Sequence, residues 1–217
     1  QSVAEAGACD YSLSLQYDED ATFKARQWLH QHAGERGDRP FMLTLSVMHP
    51  HDPYQALRKY WDLYDHAAID MPQVPRQDDA AGRRMYQLYD RGEIPLSPEQ
   101  IRRARHAYYG MVSYCDDLLG RLIDTLKALD QLDNTIVIVT SDHGDMLGER
   151  GMWYKMTFFD RAIRVPLVFA GPGIASGARV TPAVSHLDLM STFADLAGVS
   201  LDGLAQDGRS LLPVLTG

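Results

Sequence analysis

The sequence has little sulfur chemistry to offer. Its two cysteines, Cys9 and Cys115, lie far apart with no Cys-x-x-Cys spacing, which excludes a disulfide framework and a paired-cysteine metal site. Reduced thiols are then the default, and with them a cytoplasmic location is expected. Long apolar runs are also missing. None approaches the roughly 18 residues needed to cross a bilayer, and no signal peptide is expected before the first motifs, so no membrane partner is expected. A basic surplus is absent: 21 Lys and Arg against 29 Asp and Glu leave a net charge of −8, which argues against nucleic acid as a partner. There are no internal repeats and no low-complexity tracts. The chain starts at Gln1 rather than Met, so a fragment or trimmed product is expected.

What is present is an ordinary globular composition over 217 residues, enough for one domain with a buried core. Residues 134–155 organise it. The run 135–140 is β-branched without alternation, which suits a strand covered on both faces, as in a parallel α/β sheet. It ends in Ser141-Asp142-His143-Gly144-Asp145, and in open α/β sheets ligands bind at the carboxyl ends of strands. Residues 41–48 read as a second buried strand, ending in His49-Pro50-His51-Asp52-Pro53-Tyr54. Residues 165–170 read as a third, closed by Gly171-Pro172-Gly173, and 180–184 as a short fourth. Residues 1–16 look irregular. A helix capped by Asp18 or Asp20 is expected to run to about Ala33, with Phe23, Trp28 and Leu29 on its apolar side. Residues 55–95 form a long excursion with short helical pieces. Ser97-Pro98-Glu99 opens a long amphipathic helix reaching about Leu129, with apolar residues at steps of three and four, and this is the expected crossover before the 135–140 strand. A last helix spans 185–198, with Gly198 at its end.

Several polar residues carry candidate chemistry. Asp142 and His143 are a metal-ligand pair at a strand end, provided the backbone turns, and Gly144 permits that turn. Lys155 adds a compact positive charge. A cation and an ammonium together make a site for an anionic ester. Of His49 and His51, at least one is expected to be functional. Asp145 is read as supporting the turn, His186 and Asp188 as capping residues, and Tyr108 and Tyr109 as core. His30, His32, His66 and His106 are read as surface or packing residues.

Three segments in order, His-Pro-His-Asp-Pro-Tyr, Tyr-Tyr-Gly-Met-Val-Ser-Tyr-Cys-Asp-Asp and Thr-Ser-Asp-His-Gly-Asp-Met-Leu-Gly-Glu-Arg-Gly-Met-Trp-Tyr-Lys-Met-Thr-Phe-Phe, resemble sulfatases of the alkaline phosphatase superfamily, most closely the choline-sulfatases. Arg164-Val165-Pro166-Leu167, Gly171-Pro172-Gly173 and Ser185-His186-Leu187-Asp188-Leu189 continue the likeness, which is weakest over 55–91. The resemblance implies an alkaline-phosphatase-like α/β fold, a mostly parallel sheet flanked by helices, here one partial catalytic domain over 1–217, incomplete at its N-terminal and C-terminal sides. It implies that Asp142 and His143 ligate a divalent metal, calcium first and manganese second, and that Lys155 contacts the sulfate and the leaving oxygen. His51 would assist departure of the alcohol. The implied reaction is hydrolysis of a small anionic ester, choline sulfate, to choline and sulfate. Trp153, with Tyr154, is the expected aromatic wall for the quaternary ammonium. The family's Cys-x-Pro-x-Arg or Ser-x-Pro-x-Arg segment, source of the formylglycine nucleophile, has no counterpart here, nor has its earlier Asp-Asp pair: Asp116-Asp117 lies within the long helix. The nucleophile is therefore expected from a segment this chain lacks, and the chain alone is expected to be inactive. A phosphonate monoester hydrolase or phosphodiesterase of the same superfamily, or a non-catalytic truncated relative, is the alternative. A homo-oligomeric full-length enzyme stays open.

Overall fold

The computed structural model describes residues 3–35, 39–89 and 96–217, and the fold is the expected α/β class. It divides into two compact units, Gln1–Asp130 with Ser141–Val165, and Gln131–Thr140 with Pro166–Gly217.

The first unit begins with a short strand, β1 (Gly7–Cys9), and a 23-residue helix, α1 (Leu13–Glu35). Both start inside the stretch expected to be irregular. Helix α1 starts earlier than Asp18 because Ser12 caps it, its Oγ accepting the Leu15 N–H at 3.2 Å. Asp18 is instead fully buried within the helix. Strand β2 (Gln55–Leu57) pairs in parallel with β1, Ala8 facing Ala56. The excursion therefore opens with a strand before its helical pieces, α2 (Arg58–Trp61), a 3-10 turn at His66–Ala68 and α3 (Ala80–Tyr89). Its end, 90–95, lies outside the described residues.

Helix α4 (Pro98–Ala128) follows the expected pattern. Ser97 Oγ accepts the Gln100 N–H at 3.2 Å while Gln100 Oε1 accepts the Ser97 N–H at 2.8 Å, so two N–H groups at the helix start are satisfied reciprocally. Ala104, Ala107, Met111, Tyr114 and Leu118 form its buried stripe. Ala104, Ala107 and Met111 pack with Val3, Ala6, Tyr54, Ala56 and Trp153. Tyr114 and Leu118 pack with Leu15 and Tyr60. Tyr108 leans on the first cluster as expected, whereas Tyr109 is exposed and donates to Asp70 Oδ1 at 3.1 Å. The 41–48 segment is extended, with burial alternating residue by residue. Phe41 meets the Trp28 ring edge-on and Val47 packs on the Leu15 cluster. No strand pairs with it among the described residues, so it is one-sided rather than buried on both faces. A last turn of helix, α5 (Asp160–Ile163), closes this unit.

In the second unit, β3 (Val137–Thr140) pairs with β4 (Leu167–Ala170) in antiparallel register, Val137 facing Ala170. The β-branched run is half-buried rather than covered on both faces, and 180–184 is not a strand. Helix α6 (Leu187–Ala197) ends on Gly198 in the left-handed conformation at φ 65°, which glycine adopts without a Cβ penalty. Asp188 takes the Ser185 N–H at 2.8 Å and the Arg209 N–H at 3.0 Å, and those backbone donors, Arg209 first, hold its carboxyl below the usual range. A short helix, α7 (Leu212–Leu215), completes the chain.

Candidate active site

Beyond Thr140 the backbone turns at once. Ser141 Oγ donates to the His143 carbonyl at 2.8 Å, and Asp142 Oδ1 accepts the His143 N–H at 3.0 Å. Gly144 N–H donates to the Ala162 carbonyl at 2.7 Å, and a Cβ at Gly144 would overlap the Arg161 carbonyl oxygen. Only glycine lets the loop press this closely against α5. The turn resolves the difficulty of two adjacent ligands: Asp142 and His143 reach one side, with His143 Nε2 3.5 Å from Asp142 Oδ2.

The next residues return the chain to the first cluster. Asp145 Oδ1 accepts the Leu147 N–H at 2.9 Å and the Tyr154 N–H at 3.1 Å, while Oδ2 accepts the Tyr54 hydroxyl at 2.7 Å. Burial pushes the Asp145 carboxyl above its ordinary range, and burial beside that carboxyl pushes the Tyr54 hydroxyl far up. Tyr54 is fully buried and stands three residues after His51. The Tyr54–Asp145–Tyr154 tie therefore brings the residue after Tyr154 to the residues before Tyr54. Tyr54 carried no candidate role in the sequence, although it ends the His-Pro-His-Asp-Pro-Tyr motif.

The outcome is a convergence across 104 positions: Lys155 Nζ lies 2.7 Å from His51 Nε2. His51 Nδ1 faces the Asp52 carbonyl at 2.8 Å and the Asp52 carboxylate at 3.1 Å. The His51 and His143 rings meet edge to face with centroids 6.3 Å apart. Asp142, with 84% of its side chain exposed, points to solvent rather than into the protein. Of the five candidates, His51 and Lys155 thus meet directly, His143 lies against the His51 ring, and Asp142 stands beside His143.

Trp153 is the exception. It is 8% exposed, sits in the first cluster, and packs on the Tyr54 ring with centroids 5.6 Å apart. A ring so enclosed has no free face for a quaternary ammonium, so the expected role of Trp153 is corrected to core packing. His49 is also structural. Its Nδ1 bonds Asp18 Oδ2 at 2.6 Å, its own N–H reaches the same carboxylate at 3.1 Å, and Asp18 Oδ1 takes the Met48 N–H at 2.6 Å. Neither cysteine looks nucleophilic: burial pushes Cys9 up and Cys115 up to about 12, the Cys115 thiol donating to the His49 carbonyl at 3.2 Å.

The Asp142–His143 pair fits part of a metal site. His143 Nδ1 lies 2.8 Å from the Gly144 carbonyl, which places the ring proton there and leaves the Nε2 lone pair open toward a cation. Ligand atoms about 2.1 and 2.4 Å from one ion, at roughly a right angle, lie about 3.2 Å apart, close to the separation seen. Among the described residues no group of three His, Cys, Asp or Glu side chains completes such a site.

The chain has relatives among known proteins. The family model described as Sulfatase matches residues 4–199. The chain belongs to the sulfatase family. Within that family it is 44% identical over 225 residues to a choline-sulfatase of Rhizobium meliloti (strain 1021), covering 100% of this chain and 44% of the relative. It is 32% identical over 215 residues to human arylsulfatase K, covering 92% of this chain and 40% of that one. Among solved structures, the phosphonate monoester hydrolase from Silicibacter pomeroyi superposes with a TM-score of 0.76 at 31% identity, over 91% of this chain and 41% of that chain. The Agrobacterium radiobacter phosphonate monoester hydrolase gives 0.78 at 26%, over 98% and 45%. This sulfatase-family chain therefore spans less than half the length of these relatives.

Proposed function

We propose that the protein carrying this chain hydrolyses a small sulfuric ester, choline sulfate before others, and that this chain supplies the leaving-group side of the site. The observation that carries the reading is the 2.7 Å approach of Lys155 to His51 beside the His143 ring. Breaking an S–O ester bond builds negative charge on the alcohol oxygen, and a preorganised ammonium and imidazole would offset it. Removing one such donor typically costs about 2.7–4 kcal/mol in the barrier. Asp142 and His143 would hold a divalent cation, calcium first and manganese second given their mixed oxygen and imidazole donors. Once bound, such an ion polarises the sulfate oxygens. The nucleophile, expected to be formylglycine, is assigned to a segment beyond these residues, since neither Cys9 nor Cys115 is followed by Pro-x-Arg.

A second reading has specific support: two phosphonate monoester hydrolases share this fold above 25% identity. The test compares release of sulfate from choline sulfate with hydrolysis of phenyl phenylphosphonate by the full-length protein. A kcat/KM at least tenfold higher on choline sulfate supports the first reading. The reverse preference overturns it in favour of the second, and no turnover of either ester removes both.

A further inference from the structure

Three non-glycine residues between the Asp142–His143 turn and Lys155 hold a left-handed backbone: Leu147 at φ 45°, Arg150 at φ 58° and Tyr154 at φ 67°. In that region Cβ crowds the following carbonyl, so such residues persist where their surroundings over-determine them, and they gather at functional sites. Arg150 is held by the excursion, its N–H donating to the Val74 carbonyl at 2.7 Å and its carbonyl accepting the Tyr86 hydroxyl at 2.8 Å. The other two share one acceptor. Asp145 Oδ1 takes the Leu147 N–H at 2.9 Å and the Tyr154 N–H at 3.1 Å, and the Met146 N–H donates to the Tyr154 carbonyl at 2.8 Å. Asp145 Oδ2 accepts the Tyr54 hydroxyl at 2.7 Å. The Tyr54 and Tyr154 rings lie nearly parallel, 9° apart with centroids at 6.3 Å.

Tyr154 immediately precedes Lys155, so its backbone sets where the lysine stem leaves the loop. A flexible stem ending in a point charge takes its direction from its root and its contacts. Tyr54 is fully buried and its hydroxyl donates inward. Asp145 has three donors on its carboxyl, so neither residue is placed to touch an ester. We propose, resting on the ester-hydrolase reading above, that Tyr54 and Asp145 are positioning residues for departure of the alcohol. They clamp Tyr154 in its left-handed turn and so keep Lys155 Nζ at the leaving oxygen. His51, three residues before Tyr54, is rooted in the same clamp. With the clamp loosened, Tyr154 relaxes toward ordinary backbone and the ammonium leaves the oxygen. The Asp142–His143 turn keeps its own bonds, that from the Gly144 N–H to the Ala162 carbonyl at 2.7 Å among them.

Leaving-group dependence separates this role from a general loss of folded protein, which slows every substrate alike. An alkyl oxide departs with its charge localised and depends on Lys155, whereas para-nitrophenoxide spreads its charge over the ring and needs little help. In the full-length protein, kcat/KM is measured on the alkyl and the para-nitrophenyl ester of whichever acid it turns over, sulfuric or phenylphosphonic. Tyr54→Phe keeps the buried ring and removes one bond to Asp145. It is expected to lower kcat/KM on the alkyl ester about 100-fold, the cost of a misplacement on the order of 1 Å. An alkyl loss about fivefold or more above the para-nitrophenyl loss supports the proposal, and a smaller difference overturns it. Asp145→Asn keeps a carbonyl for both N–H groups and an amide that donates to the Tyr54 hydroxyl, so it is expected to be faster than Asp145→Ala on the alkyl ester. An asparagine variant as slow as alanine overturns the geometric role. A crystal structure of Tyr54→Phe reads placement without turnover: Lys155 Nζ is expected beyond about 3.5 Å from His51 Nε2, out of hydrogen-bond reach. A pair still within that reach, as at 2.7 Å here, overturns the proposal. If neither acid's esters are hydrolysed the hydrolase reading fails, and the crystal structure still decides whether the clamp places Lys155.

Discussion

Replacing Gly144 with alanine tests how the loop presents its ligands. The added methyl would run into the Arg161 carbonyl oxygen, well inside the 3.0 Å that Cβ contacts essentially never breach, so the loop and α5 must part by about 1 Å, as overpacked sites do. That movement stretches the 2.7 Å bond from Gly144 N–H to the Ala162 carbonyl. Overpacking of this kind costs about 1–3 kcal/mol, and a weakened backbone hydrogen bond adds about 1 kcal/mol. The methyl sits next to His143, so Asp142 and His143 should shift by a comparable distance relative to His51 and Lys155. Misplacement on the order of 1 Å costs about 100-fold in rate. In the full-length protein, urea unfolding is expected to report about 2–4 kcal/mol of destabilisation. Isothermal titration with calcium and with manganese is expected to show at least tenfold weaker binding, since poorly placed ligands lose metal affinity on that scale. A Gly144→Ala protein with wild-type unfolding and metal affinity would refute the steric reasoning.

Asp18→Ala strips the buried partner from His49 and from two backbone N–H groups, and should cost about 3–5 kcal/mol in urea unfolding, the penalty for breaking a buried network. Trp153→Ala should destabilise by about 3–5 kcal/mol. Because the ring is enclosed, the preference for choline sulfate over a neutral alkyl sulfate should change less than threefold, about 0.6 kcal/mol. His106 is buried, stacked on Trp61 with centroids 3.6 Å apart, and its Nε2 faces the Trp61 carbonyl at 2.9 Å. Burial lowers its pKa below 6.5, so the folded state favours the neutral ring. The stability this brings is complete above pH 6.5 and is lost as pH falls through the lower folded value. Urea midpoints should therefore drop below that pH, and His106→Gln should flatten the dependence.

How much of this was legible in the sequence depended on whether a signal was local. Helix α4 announced itself through Ser97, Pro98 and the stripe from Ala104 to Leu118, because capping and a 3.6-residue period are properties of neighbouring residues. The turn after Thr140 was legible from Gly144. Strand β1 was not, since three residues, Gly-Ala-Cys, are too few to carry a period of two. Nor was the antiparallel pairing of β3 with β4: an apolar run records burial, and strand direction is set by the partner. Asp18 read as a cap because its true partner, His49, lies 31 positions away. Trp153 read as a ligand contact because aromatic residues serve cores and cation sites alike, and only packing against Tyr54 separates the two. The convergence of Lys155 on His51 reached the sequence only through family likeness. Its physical cause, the Tyr54–Asp145–Tyr154 tie, is a tertiary contact with no local trace.

The central claim is that Lys155 offsets the charge on a leaving alcohol oxygen in a sulfatase-type site. Its most direct test is kcat/KM for choline sulfate in the full-length protein and in Lys155→Ala, metal-loaded and compared at equal folded fraction. A fall of about 100- to 1000-fold is predicted, the effect of losing one preorganised donor. A Lys155→Ala protein within threefold of wild type would contradict the claim.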